Sequence, residues 1–96
     1  MSVITVTRFQ ADPADADQVR ARHAALVSAT RAAMSGLAEA RLGRTGDETW
    51  VGVWRWDSAA CLRAARQALP GTEAAVAAFA VASEVTAEDI EILDEL

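Results

Sequence analysis

Apolar and polar positions along the chain fall into alternating strand-like and helix-like stretches. Val3 to Phe9 is rich in β-branched residues and apolar at both parities, with Val3, Thr5, Thr7 and Phe9 on one face and Ile4, Val6 and Arg8 on the other. This is a strand covered on both sides. From about Ala14 to Met34 the apolar positions Val19, Leu26, Val27, Ala33 and Met34 recur at helical spacing. Pro13 and the acidic residues Asp12, Asp15 and Asp17 suit the positive end of that helix, and Gly36 follows its last turn. Leu37 to Arg44 and Glu48 to Trp56 read as a hairpin joined across Thr45-Gly46-Asp47. Asp57 and Ser58 cap a second helix, Ala59 to Leu69, which Pro70-Gly71 breaks. Thr72 to about Ala82 makes a short third helix, and Glu84 to Leu93 a last strand in which Ile90 and Ile92 alternate with acidic residues.

The order strand, helix, strand, strand, helices, strand predicts one α+β domain over residues 1–96. Its expected fold is a ferredoxin-like four-stranded antiparallel sheet with the helices on one face. The other sheet face is then left open although several strands are apolar on both faces. A homodimer through that open face, forming a dimeric α+β barrel, would bury it and leave the sheet-helix cleft of each subunit free for a ligand.

Composition narrows the partners. A net charge of −5 and nine scattered basic residues, all arginine, argue against nucleic acid. No run is apolar for long enough to cross a membrane, and no signal peptide is evident, so a cytoplasmic location is expected. The single cysteine, Cys61, excludes an internal disulfide and reads as a small core residue. One histidine with no second ligand at useful spacing makes no metal site.

Candidate chemistry centres on Trp50 to Ser58, which holds all three tryptophans. At strand spacing Trp50, Gly52, Trp54 and Trp56 share a face, an aromatic wall for a small hydrophobic ligand; parity does not say whether that face meets the helices or another subunit. Gly52 either leaves a slot for a planar ligand or, more simply, relieves crowding between indoles or marks a bulge. His23, the only histidine, lies four residues after Val19 and three before Leu26, on the helix face turned to the sheet. It is the candidate general base, set against a plain hydrogen-bonded histidine at the core edge. Thr5 and Thr7 could orient a ligand oxygen, and Phe9, Trp54, Trp56 and Phe79 complete the candidate substrate-contacting set. Arg8 and Arg55 lie at the opposite parity, suited to pairing with Glu or Asp across a subunit interface.

Several of these features together resemble the antibiotic biosynthesis monooxygenase (ABM) family of dimeric α+β barrels over nearly the whole chain. They are the strand closing on Arg8-Phe9, the Pro13 turn, Ser35-Gly36-Leu37, and Val53-Trp54-Arg55-Trp56-Asp57-Ser58 entering an alanine-rich helix. The resemblance implies that the face of Thr5, Thr7 and Phe9 is the helix-facing one. It also implies a choice of activities. A cofactor-independent monooxygenase acting on a small aromatic or polyketide-like compound needs a dry pocket, a means of favouring the substrate anion and room for dioxygen, with no cofactor. The alternative is a non-catalytic or accessory dimer that binds a small ligand. The haem-degrading branch of the family uses an asparagine near the end of the first strand, a tryptophan in the second helix and a histidine in the third. Here Thr7 and about Ala65 stand at the first two positions, and no histidine follows His23.

Overall fold

The computed structural model describes residues 1–96. Its elements are β1 (Val3–Gln10), α1 (Ala16–Ala33), β2 (Leu37–Arg44), β3 (Thr49–Trp56), α2 (Ala59–Ala68), α3 (Glu73–Ala80) and β4 (Ser83–Glu91). The strands form one antiparallel sheet in the order β2-β3-β1-β4. This is the ferredoxin-like α+β arrangement expected from the element order.

Element ends follow local chemistry. Pro13–Asp15 forms a 3-10 turn instead of the start of α1, and Asp12 caps that turn by accepting from the Ala14 N–H. The Ser58 hydroxyl accepts from Cys61 N–H at 3.2 Å and caps α2. Thr72 caps α3 in the same way, accepting from Ala75. Gly36 sits at φ +102°, and a Cβ there would stand 2.5 Å from Cys61 Sγ, so the corner before β2 requires glycine on two counts. The last strand stops at Glu91 rather than Leu93.

The register settles the question of faces. Val3 pairs with Trp56, Thr5 with Trp54, Thr7 with Gly52 and Phe9 with Trp50, which places these eight residues on the same side of the sheet. That side meets the helices, because Val3, Trp50 and Trp56 are all buried. Two separate clusters form along it. Trp56 packs with Val3, Leu37, Leu62 and Ala65, whereas Trp50 packs with Ala11 and Val19.

On the far face Ile4, Val6, Val51 and Val53 form an apolar centre. Arg8 pairs with Glu88 at 3.2 Å, and Arg55 pairs with Glu39 at 3.1 Å. The two arginines thus find their carboxylates within the chain.

The two-fold constraint at Gly36 has a measurable consequence. Gly36→Ala should lower unfolding stability in urea by about 2 kcal/mol or more, from the left-handed backbone and the contact with Cys61. Gly43→Ala, where a Cβ meets nothing within 4 Å, should change stability by less than about 0.5 kcal/mol or raise it.

Candidate functional site

Between the Trp56 and Trp50 clusters the sheet and helices do not close. A cavity of about 700 Å³ opens there, within the size range of small-molecule sites. Its floor is the middle of β1 and β3, where Thr5, Thr7 and Gly52 carry too little side chain to fill the space. His23 and Leu26 of α1, and Leu62, Ala65 and Arg66 of α2, form its walls. Val76 and Phe79 of α3 and Val85 of β4 stand at its rim and are more than 40 % exposed.

All seven side chains picked out in the sequence, Thr5, Thr7, Phe9, His23, Trp54, Trp56 and Phe79, border this one cavity. Their depths differ. Trp56 is fully buried and belongs to the core at one end. Phe9 stacks on Trp50 with ring centroids 6.4 Å apart at the other end. Phe79 is 52 % exposed at the rim, because α3 is held against α1 and leaves that ring facing outward. Trp50 does not border the cavity; Arg44 covers its ring, 5.0 Å from the centroid.

Gly52 corrects the simpler of its two readings. No bulge interrupts its pairing with Thr7 or Leu42, and a Cβ would meet only the Thr7 carbonyl oxygen, at 3.9 Å. Crowding therefore does not require glycine. A glycine in a strand interior gives up packing and conformational restriction, and what it leaves here is depth in the cavity.

His23 is half-buried and has a partner. The Trp54 indole N–H donates to His23 Nε2 at 3.0 Å, with the rings edge-on at 76°. An indole nitrogen only donates, so Nε2 carries the lone pair and the proton of the neutral ring is on Nδ1. Burial pushes the His23 pKa down from its usual 6.5, which keeps the ring neutral at physiological pH. The lone pair that a general base would use is therefore intact, but it is engaged by Trp54.

Sequence reasoning missed Arg66 and Asp89. Arg66 is the one charged side chain on the cavity wall. Asp89 of β4 accepts from both terminal nitrogens of its guanidinium, and Thr5 Oγ1 donates to the same carboxylate at 3.3 Å. The Arg66 hydrogen bonds hold the Asp89 pKa below its usual value. The signal was present in the spacing: Leu62, Ala65, Arg66 and Leu69 stand at i, i+3, i+4 and i+7, which puts Arg66 on the inner stripe of α2. No three His, Cys, Asp or Glu side chains converge to hold a metal ion. No helix is long and apolar enough to cross a membrane.

Comparison with known proteins follows the same direction. The family profile for antibiotic biosynthesis monooxygenase matches residues 2–80. Among solved structures, the chain is similar to SnoaB, a cofactor-independent oxygenase from Streptomyces nogalater. Identity is 26 %, the TM-score 0.72, and coverage 99 % of this chain and 96 % of that one. It is also similar to Rv0793 from Mycobacterium tuberculosis, at 24 % identity and a TM-score of 0.72, covering 99 % and 98 % of the two chains. A Deinococcus radiodurans protein whose assignment as an antibiotic biosynthesis monooxygenase is provisional aligns with a TM-score of 0.78 at 18 % identity, over 98 % and 95 %. Comparison with curated protein sequences finds no match.

The His23 arrangement predicts a pH dependence with a definite sign. A histidine whose folded pKa lies below its unfolded value binds fewer protons when folded, so it costs stability as pH falls below about 6.5 and costs nothing above it. Urea midpoints of the native chain should therefore drop between pH of about 7.5 and 5.5 by more than those of His23→Gln. In Trp54→Phe, which removes the donor to Nε2, the imidazole should titrate at higher pH by NMR.

Proposed function

The chain belongs to the antibiotic biosynthesis monooxygenase family, and we propose that it is a cofactor-independent monooxygenase acting on a small aromatic or polyketide-like compound. The observation that carries this reading is the apolar cavity over Gly52, large enough for a planar ligand and bordered by a neutral imidazole. Similarity to SnoaB, a cofactor-independent oxygenase, supports the same class of reaction.

The chemistry asks little of the protein. An electron-rich phenol or anthrone loses a proton, and its carbanion passes one electron to dioxygen. Recombination of the two radicals forms a carbon–oxygen bond, and protonation gives a hydroperoxide. Loss of water then leaves a carbonyl, so one CH₂ and one O₂ become one C=O and one H₂O. The substrate supplies every electron. His23 is the group proposed to take the first proton, with the substrate hydroxyl replacing the Trp54 indole as the donor to Nε2. Apolar walls keep water away from the anion. Thr5, Thr7, Phe9, Trp54, Trp56 and Phe79 are proposed as the substrate-contacting residues.

We further propose that two copies pair through the open sheet face. The apolar centre of Ile4, Val6, Val51 and Val53 is the surface to be covered, and a chain with only 12 of 96 residues buried has reason to cover it. The cavity lies on the other face of the sheet, so pairing would leave it accessible.

Three measurements test these readings. Oxygen consumption should accompany turnover of a phenol or anthrone that quenches tryptophan fluorescence; quenching without uptake across a panel of such ligands would point to the accessory binding protein instead. Gly52→Val should weaken those ligands by about tenfold or more while leaving urea stability unchanged or higher, because the new side chain enters the cavity and suits a strand. Sedimentation at micromolar concentration should show a dimer, and Val53→Arg a monomer with the same fold by circular dichroism.

A further inference from the structure

The position of Arg66 is not explained by stability. Its side chain and that of Asp89 are 50 % and 36 % exposed, and ion pairs of that exposure contribute little. Arginine on the inner stripe of a helix also gives up apolar contact that leucine or alanine would make there. What the placement achieves is a fixed cation on the edge of an otherwise uncharged wall.

The fixing comes from β4 and β1 together. Asp89 holds the guanidinium through both terminal nitrogens, and Thr5, itself on the cavity floor, donates to the same carboxylate. Two of the five guanidinium N–H donors are used in this way, and three remain. Thr5 has spent its proton on Asp89, so its oxygen turns only lone pairs to the cavity.

We propose that Arg66 is the anion-binding group of this cavity, and that the ligand is a planar aromatic compound carrying an ionised oxygen, a phenolate or a carboxylate, at the α2–β4 edge. The aromatic body lies over Gly52 and the ionised oxygen meets the free N–H donors of Arg66. Asp89 is a positioning residue: it does not border the cavity, and it orients the fork. For a phenol the same contact favours the ionised form, the state from which oxygen chemistry starts. The proposal rests on the cavity being a ligand site, as argued above, but not on any reaction with oxygen.

The test is therefore a binding measurement on the full chain, by calorimetric titration near neutral pH, with 2-naphthoate, 2-naphthol and the uncharged 2-naphthamide. In the native protein naphthoate should bind more tightly than naphthamide. Arg66→Gln should weaken naphthoate by about tenfold or more and change naphthamide by less than about twofold. Arg66→Lys should fall between, keeping the charge but losing the planar fork. Asp89→Asn should weaken naphthoate as well; an Asp89 that merely screened Arg66 would strengthen it on removal. Naphthol binding that releases a proton, read from the buffer dependence of the heat, identifies phenolate as the anion, and tight naphthoate binding without that release identifies carboxylate. Equal losses for naphthoate and naphthamide in Arg66→Gln would overturn the proposal and leave the cavity as an uncharged aromatic site. Failure of all three to bind would overturn both it and the ligand-site reading.

Discussion

The central ladder between β1 and β3 is the constraint on which the rest of the molecule depends. Its register sets four cross-strand pairs on the helix side, of which three carry an indole and only Thr7 with Gly52 is small. Val3 with Trp56 and Phe9 with Trp50 anchor the two ends, while Thr5 with Trp54 and Thr7 with Gly52 occupy the middle. Six residue steps along the strand take Trp50 to Trp56, roughly 20 Å. The helices rest on these two aromatic supports and span the gap between them. The cavity is thus a result of where bulk is placed along two strands. A one-residue slip would turn all three indoles to the outer face and abolish both the core and the cavity.

The tryptophans consequently have unequal roles although they share a face. Trp56 and Trp50 are almost fully buried, and the indole nitrogen of each lacks an acceptor. An unpartnered buried donor costs about 1–3 kcal/mol, which burial of the large ring must exceed. Trp54 is half-buried, and its N–H is satisfied by His23. Its ring also lies at 43° to that of Trp56, 6.2 Å away, so the wall continues into the core. The indole whose nitrogen has a side-chain acceptor is the one in the middle of the strand.

Much of this was readable in the chain. Strand parity grouped Thr5, Thr7 and Phe9, and separately Trp50, Gly52, Trp54 and Trp56, and helical spacing turned His23 toward the sheet. Pairing the two groups needed the register, which alternation alone does not fix. The partner of His23 lies 31 residues away on another element, beyond any local spacing rule. Gly52 was misjudged because crowding depends on neighbours that only a fold brings near; two flanking indoles suggested a tight fit, and the space above proved open. Arg66 was legible and passed over, since arginine on a helix is usually solvated. The bulge in β4 had no signal: between Arg8 and Gln10 the pairing slips, Glu84 takes φ +51°, and Val85 is carried to the cavity rim.

The two faces of the sheet divide the work between electrostatic and apolar terms in opposite ways. On the open face the charges lie around the apolar centre and are already paired, Arg8 with Glu88 and Arg55 with Glu39, so a partner sheet would meet few uncompensated ions. On the helix face the charge pair Arg66–Asp89 stands at the edge of an apolar space, with one member on the wall and the other behind it. Alternation makes this possible from a single strand. In β4, Glu88 and Ile90 face outward while Ala87 and Asp89 face the helices. Neighbouring acidic residues therefore serve opposite faces, one neutralising the rim of the outer surface and the next holding the cation of the cavity. The acidic last strand is in this respect part of the cavity's construction.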